Sequence, residues 1–262
     1  MSCPEYENFA EFYDYVLPYA TRTDVGFYVD LAREAHGPLL EVGCGTGRVL
    51  LPSARAGVEA VGLDVSRRML DVLERSLSHE PPDVRERVRV VEADMRSFEL
   101  RQRFSLITMP FRAFQHALTP EDQRATLRCV RRHLAEGGRF VLDLFNPSIP
   151  FLGDPTWGRL PITEPEFTMP DGRRVTRSYR VVERDFLNQV QLVEFIIDVV
   201  HPNGATQHET AQFQIRYLFR YEAEYLLECE GFDIEALYAD YDRSLYGSKY
   251  PGELVFVARA RG

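Results

Sequence analysis

The sequence predicts an α/β fold: a doubly wound, mostly parallel sheet of seven strands with an antiparallel β meander inserted after the fifth. Three observations carry this. As far as residue 146, short apolar runs alternate with stretches whose apolar residues recur at helical spacing, the pattern of strand–helix–strand units in a parallel sheet. The first apolar run, at 39–42, enters a turn with Gly43, Gly45 and Gly47, residues that let a backbone bend sharply and approach a ligand with no Cβ in the way. After residue 172 the apolar period shortens to two, and Asn203-Gly204 separates two long alternating runs, which reads as a two-residue hairpin turn.

The elements follow in order. Val25, Phe27, Tyr28, Leu31 and Ala35 share one face of a helix over 24–35, stopped by Gly37-Pro38. The strand at 39–42 leads into the glycines and then a helix over 48–56, which Pro52 must bend or weaken. A second strand at 60–65 carries Asp64 near its end. Ser66 then caps a helix whose apolar face is Met69, Leu70, Leu73 and Leu77. Strands at 88–93 and 104–109 come next. Thr119-Pro120-Glu121-Asp122 starts a helix expected to end at Gly137-Gly138, before a fifth strand at 139–145. Residues 147–172 are rich in proline and glycine and read as loop. Strand-like runs at 174–184, 190–201 and 205–220 form the meander; a short helix at 221–230 and strands near 232–239 and 253–259 close the chain. The division expected is one domain: a helical lid at 1–36, a core at 37–146, an insertion at 147–220 and the end of the core sheet at 221–262.

Composition excludes several classes. The chain has 262 residues, 45% of them hydrophobic, enough for a large core, and no apolar run reaches the roughly 20 residues of a spanning helix. Its acidic start lacks the basic-then-apolar pattern of a signal peptide. Cys3, Cys44, Cys129 and Cys229 are scattered, without the spacing of a disulfide framework or a zinc site. No metal is expected, and a reducing cytoplasm is the simplest location. The formal charge of −9 opposes a sequence-independent nucleic-acid binder. The arginine clusters at 128, 131 and 132 and at 173 and 174 have acidic neighbours in the chain.

Spacing decides what the glycines hold. A dinucleotide-binding turn needs Gly-x-Gly-x-x-Gly. Counted from Gly43 the third glycine would be Arg48, and counted from Gly45 it would be Leu50. No Gly-Lys-Ser/Thr follows, so a P-loop is excluded as well. The remaining pattern, Glu41-x-Gly43-x-Gly45-x-Gly47, resembles motif I of the class I S-adenosylmethionine-dependent methyltransferases. Asp64, 21 residues past Gly43, resembles the family's ribose-binding acid, and Asp94-Met95 its adenine-contacting pair. Phe104-Ser105-Leu106-Ile107 resembles the fourth-strand motif. Leu134-Ala135-Glu136-Gly137-Gly138 resembles the turn before the fifth strand, with glutamate in place of the usual proline.

The resemblance implies a Rossmann-like sheet that binds S-adenosylmethionine and releases S-adenosylhomocysteine. It places cofactor contacts at Glu41, Gly43, Cys44, Gly45, Gly47, Asp64, Val65, Asp94, Met95 and Met109. Tyr13 and Tyr15 join them from a lid, Phe12-Tyr13-Asp14-Tyr15-Val16, that folds over the cofactor. Tyr13 and His116 are the catalytic candidates: Tyr13 for the methionine carboxylate or the transferring methyl, and His116, past the fourth strand, as a base whose ordinary pKa suits neutral pH. Arg112, Asp143, Asn146, Tyr241 and Tyr246 are further acceptor-side candidates. Each has a plainer reading, tyrosines packed on the first helix or a histidine beside the next one. Asp64 could be an acid at a helix start, Cys44 inert packing. The meander resembles that of bacterial small-molecule methyltransferases, amino-sugar and glycine N-methyltransferases among them. It could wall an acceptor pocket or form a homodimer surface. The expected function is methyl transfer to N or O of a small molecule. Rival readings are a protein or RNA acceptor, and a non-catalytic S-adenosylmethionine-binding protein.

Overall fold

The computed structural model describes residues 9–262; Cys3 and the acidic start of the chain lie outside them. Five parallel strands form the core: β1 (Leu39–Val42), β2 (Ala60–Asp64), β3 (Val88–Glu92), β4 (Phe104–Met109) and β5 (Leu134–Phe145). Two more, β11 (Phe232–Tyr238) and β12 (Glu253–Ala260), complete the sheet in the order β11-β12-β5-β4-β1-β2-β3, with β12 antiparallel to its neighbours. Strand β1 pairs with β2 on one side and β4 on the other. The chain order therefore reverses there, and the carboxyl ends of β1 and β4 diverge into a crevice, where sheets of this kind bind ligands.

Helices cover both faces. Leu40, Ile107, Phe140 and Phe256 lie among Leu127, Val130 and Leu227 from helices Pro120–His133 and Arg220–Cys229. On the other face Leu39, Leu106, Val141 and Val257 meet Phe27, Tyr28 and Leu31 of helix Asp24–Glu34, together with Leu50, Leu70 and Leu73. Burying so many large aliphatic and aromatic groups, at ~1.5–3 kcal/mol each, is the main force holding the layers together. Among the described residues no helix is long and apolar enough to cross a membrane.

The insertion is a second, antiparallel sheet: β8 (Arg174–Asp185), β9 (Val190–Val200) and β10 (Thr206–Arg216), with β6 (Ile162–Thr163) and β7 (Phe167–Thr168) on β8. Its inner face, Val175, Val193, Phe195, Ile197 and Val199, buries Phe9, Phe12, Tyr13 and Val16 of the N-terminal segment in a third apolar cluster.

The structure redraws three expectations and adds one helix. Helix Pro120–His133 stops before the glycines, because the His133 ring takes over the last turn: Nδ1 lies 2.7 Å from Cys129 O, and Nε2 accepts from the Leu100 N–H at 2.9 Å. Gly137 and Gly138 instead lie inside β5 at a register shift against β4, and a Cβ on Gly138 would stand 2.8 Å from Phe104 O. The stretch 147–172 is not wholly loop but holds helix Ile149–Gly153 as well as β6 and β7, and Pro82–Arg87 forms a helix whose proline sits in its first turn. The meander turn spans three residues, with the His201 N–H donating to Ala205 O at 2.8 Å around Pro202-Asn203-Gly204. Gly204, at φ +84°, takes the left-handed position such loops require.

Candidate active site

The turn after β1 uses backbone conformations that side chains resist. Gly43, Gly45 and Gly47 have φ of +76°, +53° and +86°, the left-handed region glycine enters at little cost. Space is short too: a Cβ on Gly43 would stand 2.6 Å from Ala113 Cβ. The N–H groups of Gly43 and Cys44 donate to Leu63 O at 2.7 and 3.0 Å, pinning the turn to β2. Cys44 points inward, and burial pushes its thiol well above the ordinary range, so it is inert packing rather than a nucleophile. Glu41 is buried below the turn. Burial raises its carboxyl well above the usual range, with Arg48 opposing, and its Oε2 has no hydrogen-bond partner among the described residues.

Asp64 ends β2 and clasps the same turn. The Gly45 N–H donates to its Oδ2 and the Ser66 N–H to its Oδ1, both at 2.8 Å. Burial raises its pKa, while those backbone donors pull the other way. Asp94, beyond β3, is held by Arg96. Backbone N–H and Nε both donate to Oδ1 at 2.9 Å, and a terminal nitrogen donates to Oδ2 at 2.6 Å. Hydrogen bonding from Arg96 keeps this carboxyl below the ordinary carboxylate range. Arg96 also reaches Asp122 at 2.8 Å.

Past β4, Phe111 and Arg112 are both left-handed, at φ +55° and +67°. For non-glycine residues this costs on the order of 1–3 kcal/mol each and persists only when the surroundings enforce it. Here the Arg112 N–H donates to Asp143 at 2.7 Å, and its guanidinium donates to both Glu253 oxygens at 2.9 and 3.1 Å. The Phe111 ring lies 5.0 Å from each of the Arg22 and Arg48 guanidinium carbons. This turn leads into the 3-10 turn Ala113–His116, where the Gln115 amide joins both sheets, donating to Arg216 O and accepting from the Phe145 N–H. The His116 ring lies 5.8 Å from that of Phe213 on β10, and desolvation lowers its pKa from 6.5 to about 4.

Tyr13, Gly43, Gly45, Asp64, Val65, Asp94, Met95 and His116 line one cavity of about 840 Å³, counted with its open mouth. Arg96, Phe111 and Ala113 are also part of that wall. Glu41, Cys44, Gly47 and Met109 are buried and do not line it. Tyr15 stands elsewhere, 40% exposed and stacked on Phe167. Tyr13 is buried, its ring 4.8 Å from Tyr19 and 6.3 Å from Phe111, and burial keeps its phenol protonated well above neutral pH. Its neighbour Asp14 accepts from the Thr46 hydroxyl at 2.6 Å, which links the N-terminal segment to the glycine turn.

A buried ionic network backs the cavity. Fully buried Asp24 takes bonds from Arg48 at 2.7 and 2.6 Å and from Arg22 at 3.2 Å. Arg22 also donates to Tyr241 and Glu253, and Tyr241 donates to Asp143 at 2.6 Å. Arg112, Asp143 and Tyr241 are thus joined beneath the turn, whereas Asn146 donates to Pro251 O and Tyr246 lies under Arg220. Sequence reading gave no role to Arg22, Asp24, Arg48 or Arg96; the only local signal was an arginine directly after the last glycine. The surface arginines are neutralised, Arg128 by Glu230, Arg173 by Glu11 and Asp171, and Arg174 by Glu166.

Residues 39–138 match the family described as a methyltransferase domain. The chain superposes on the CcbJ methyltransferase from Streptomyces caelestis with a TM-score of 0.75, at 25% identity over 98% of both chains. It also shares its fold with CalS10 of Micromonospora echinaspora, an amino pentose methyltransferase solved with S-adenosylmethionine, at TM-score 0.66 and 23% identity over 93% of this chain and 94% of that one. The cypemycin N-terminal methyltransferase of a Streptomyces species is 35% identical over 119 residues, 44% of this chain and 46% of that protein. The matched region spans about half the length of the curated relatives. The core around β1–β5 is thus similar in sequence to methyltransferase domains and in fold to solved methyltransferases.

Proposed function

We propose that this protein transfers a methyl group from S-adenosylmethionine to the nitrogen of a small-molecule amine. The observation that carries this reading is the cavity itself, which joins the glycine turn, Asp64 and Asp94 to a wall made by Tyr13 and His116. The residues fit the cofactor: Gly43 and Gly45 bring bare backbone to the cavity wall, and Asp64 and Asp94 set carboxyl groups on the same wall. Asp64 would hold the ribose hydroxyls, Asp94 and Met95 the adenine, and the Tyr13 segment would cover the donor as a lid. When bound, S-adenosylmethionine supplies an electrophilic methyl group on a sulfonium.

The chain's own task is alignment and exclusion of water. His116 is neutral at pH 7, because its conjugate acid is lowered to about 4. So weak a base does not ionise an alcohol, but it accepts a hydrogen bond from an amine N–H and turns the nitrogen lone pair toward the donor. The protonated Tyr13 phenol adds a donor at the same wall. Two proteins it resembles, one described as an amino pentose methyltransferase and one as an N-terminal methyltransferase, support an amine acceptor. The net charge of −9 favours neither nucleic acid nor an anionic membrane surface as partner. The free thiols of Cys44, Cys129 and exposed Cys229 fit a reducing cytoplasm. The test combines calorimetry of S-adenosylmethionine binding with a screen of amino sugars, peptide N-termini, simple amines, phenols and alcohols, scoring S-adenosylhomocysteine release. Binding with turnover of amines supports the proposal; no binding, or turnover of hydroxyl acceptors alone, overturns it.

A further inference from the structure

Arg177, on β8, is only 3% exposed although it carries a full charge. Its guanidinium carbon lies 4.4 Å from the Tyr19 ring, 4.6 Å from Phe195, 5.4 Å from Phe9 and 5.8 Å from Tyr179. Its Nε donates to Glu164 at 2.6 Å, a second nitrogen donates to the other Glu164 oxygen, and a third donates to the Tyr19 hydroxyl. One planar group therefore ties together the N-terminal segment, the loop between β6 and β7 and two strands of the insertion. Such a fork has a fixed direction, which a lysine could not reproduce. The Tyr19 ring it holds packs 4.8 Å from Tyr13 and 4.8 Å from Phe111, and both of those line the cavity.

We propose that Arg177 is a positioning residue: through Tyr19 it sets the lid tyrosine Tyr13 over the methyl-donor cavity and so governs how long the donor stays bound. This rests on the methyl-donor reading above. A folding role alone is served by the apolar contacts of Phe9, Phe12 and Val16 with β8 and β9. The arginine adds direction, since it fixes the hydroxyl end of Tyr19, and with it the ring that flanks Tyr13.

The experiment measures S-adenosylmethionine and S-adenosylhomocysteine affinity by calorimetry, and S-adenosylhomocysteine dissociation by surface plasmon resonance, on the full chain. Arg177→Met is expected to speed dissociation about tenfold, the equivalent of ~1.4 kcal/mol. Arg177→Lys, which keeps the charge among the rings but loses the fork, should restore part of that. Tyr19→Phe should match Arg177→Lys, and the double variant Arg177→Lys/Tyr19→Phe should be no worse than either single one, because both break the same link. Dissociation unchanged in Arg177→Lys and Tyr19→Phe, with only melting temperature lowered, overturns the proposal, as do effects that multiply independently in the double variant. Should Arg177→Met fail to fold, the other three variants decide. Failure of the wild-type chain to bind either ligand would remove the methyl-donor reading itself.

Discussion

Asp64 does two things with one carboxylate: it accepts the Gly45 and Ser66 N–H groups, and it faces the cavity. Asp64→Ala therefore loosens the turn and, on the proposed function, deletes a contact to the donor's ribose as well. Removal of a charged acceptor at ~1.5–3 kcal/mol predicts S-adenosylmethionine affinity lower by ~10–100-fold in calorimetry. His116 allows a second test, independent of any acceptor. Its folded pKa of about 4 lies below the ordinary 6.5, so between these values the unfolded chain binds more protons than the native one. Stability is therefore complete above pH 6.5 and declines as pH falls toward 4. Urea melts at pH 7 and pH 5 should show a smaller loss in His116→Phe than in the parent. In catalysis His116 should add no ionisation between pH 5 and 9, which a pH–rate profile of the parent against His116→Phe checks. Asp64 and Asp94 were legible in sequence because one ends a strand and the other closely follows one, each at a set distance from the glycines. Arg177 was not, because its partner Tyr19 lies 158 residues away and only the folded chain brings them together.

At the level of elements, the parallel strands were readable because each apolar run ends in glycine, aspartate or proline, where the chain leaves the sheet. The short pieces were not: β6, β7 and helix Pro82–Arg87 sit in polar, proline-rich windows without a periodic apolar face, and gain their form from neighbours. The glycine turn is the element that mutation can probe most cleanly. Gly43→Ala would bring a Cβ to 2.6 Å from Ala113 Cβ and strain a left-handed residue, so the turns at 43–47 and 113–116 must separate. The expected result is loss of S-adenosylmethionine binding by tenfold or more, with a stability loss of ~1–3 kcal/mol in denaturant melts. Phe111 and Arg112 gave no sign in sequence of their left-handed backbone, because its cause lies in Asp143 and Glu253, far along the chain.

For the whole molecule, charge inside matters more than charge outside. Asp24 neutralises Arg22 and Arg48 in full burial, whereas Arg67 and Asp71 form an i,i+4 pair in solvent. Asp24→Asn leaves two inner guanidinium groups without their common counterion and should cost ~3–5 kcal/mol, read as a shift of the urea midpoint. Asp71→Ala should cost no more than ~1 kcal/mol. The overall architecture was visible in sequence as a change of apolar period near residue 172. The joining of the two sheets was not, since it depends on Gln115, Phe9 and Phe12 contacting strands far away.

The placement of the antiparallel sheet has a consequence for how such a molecule diversifies. It leaves the core after β5 and rejoins it through helix Arg220–Cys229, so its loops and outer face bear on neither the glycine turn nor Asp64. Substitutions in β10 can alter what is admitted beside Phe213 and His116 without touching the glycine turn or Asp64. A lineage that varies β10 changes the surroundings of His116 alone, whereas one that exchanges the whole cassette also exchanges Arg177 and Glu164, and with them the hold on Tyr19.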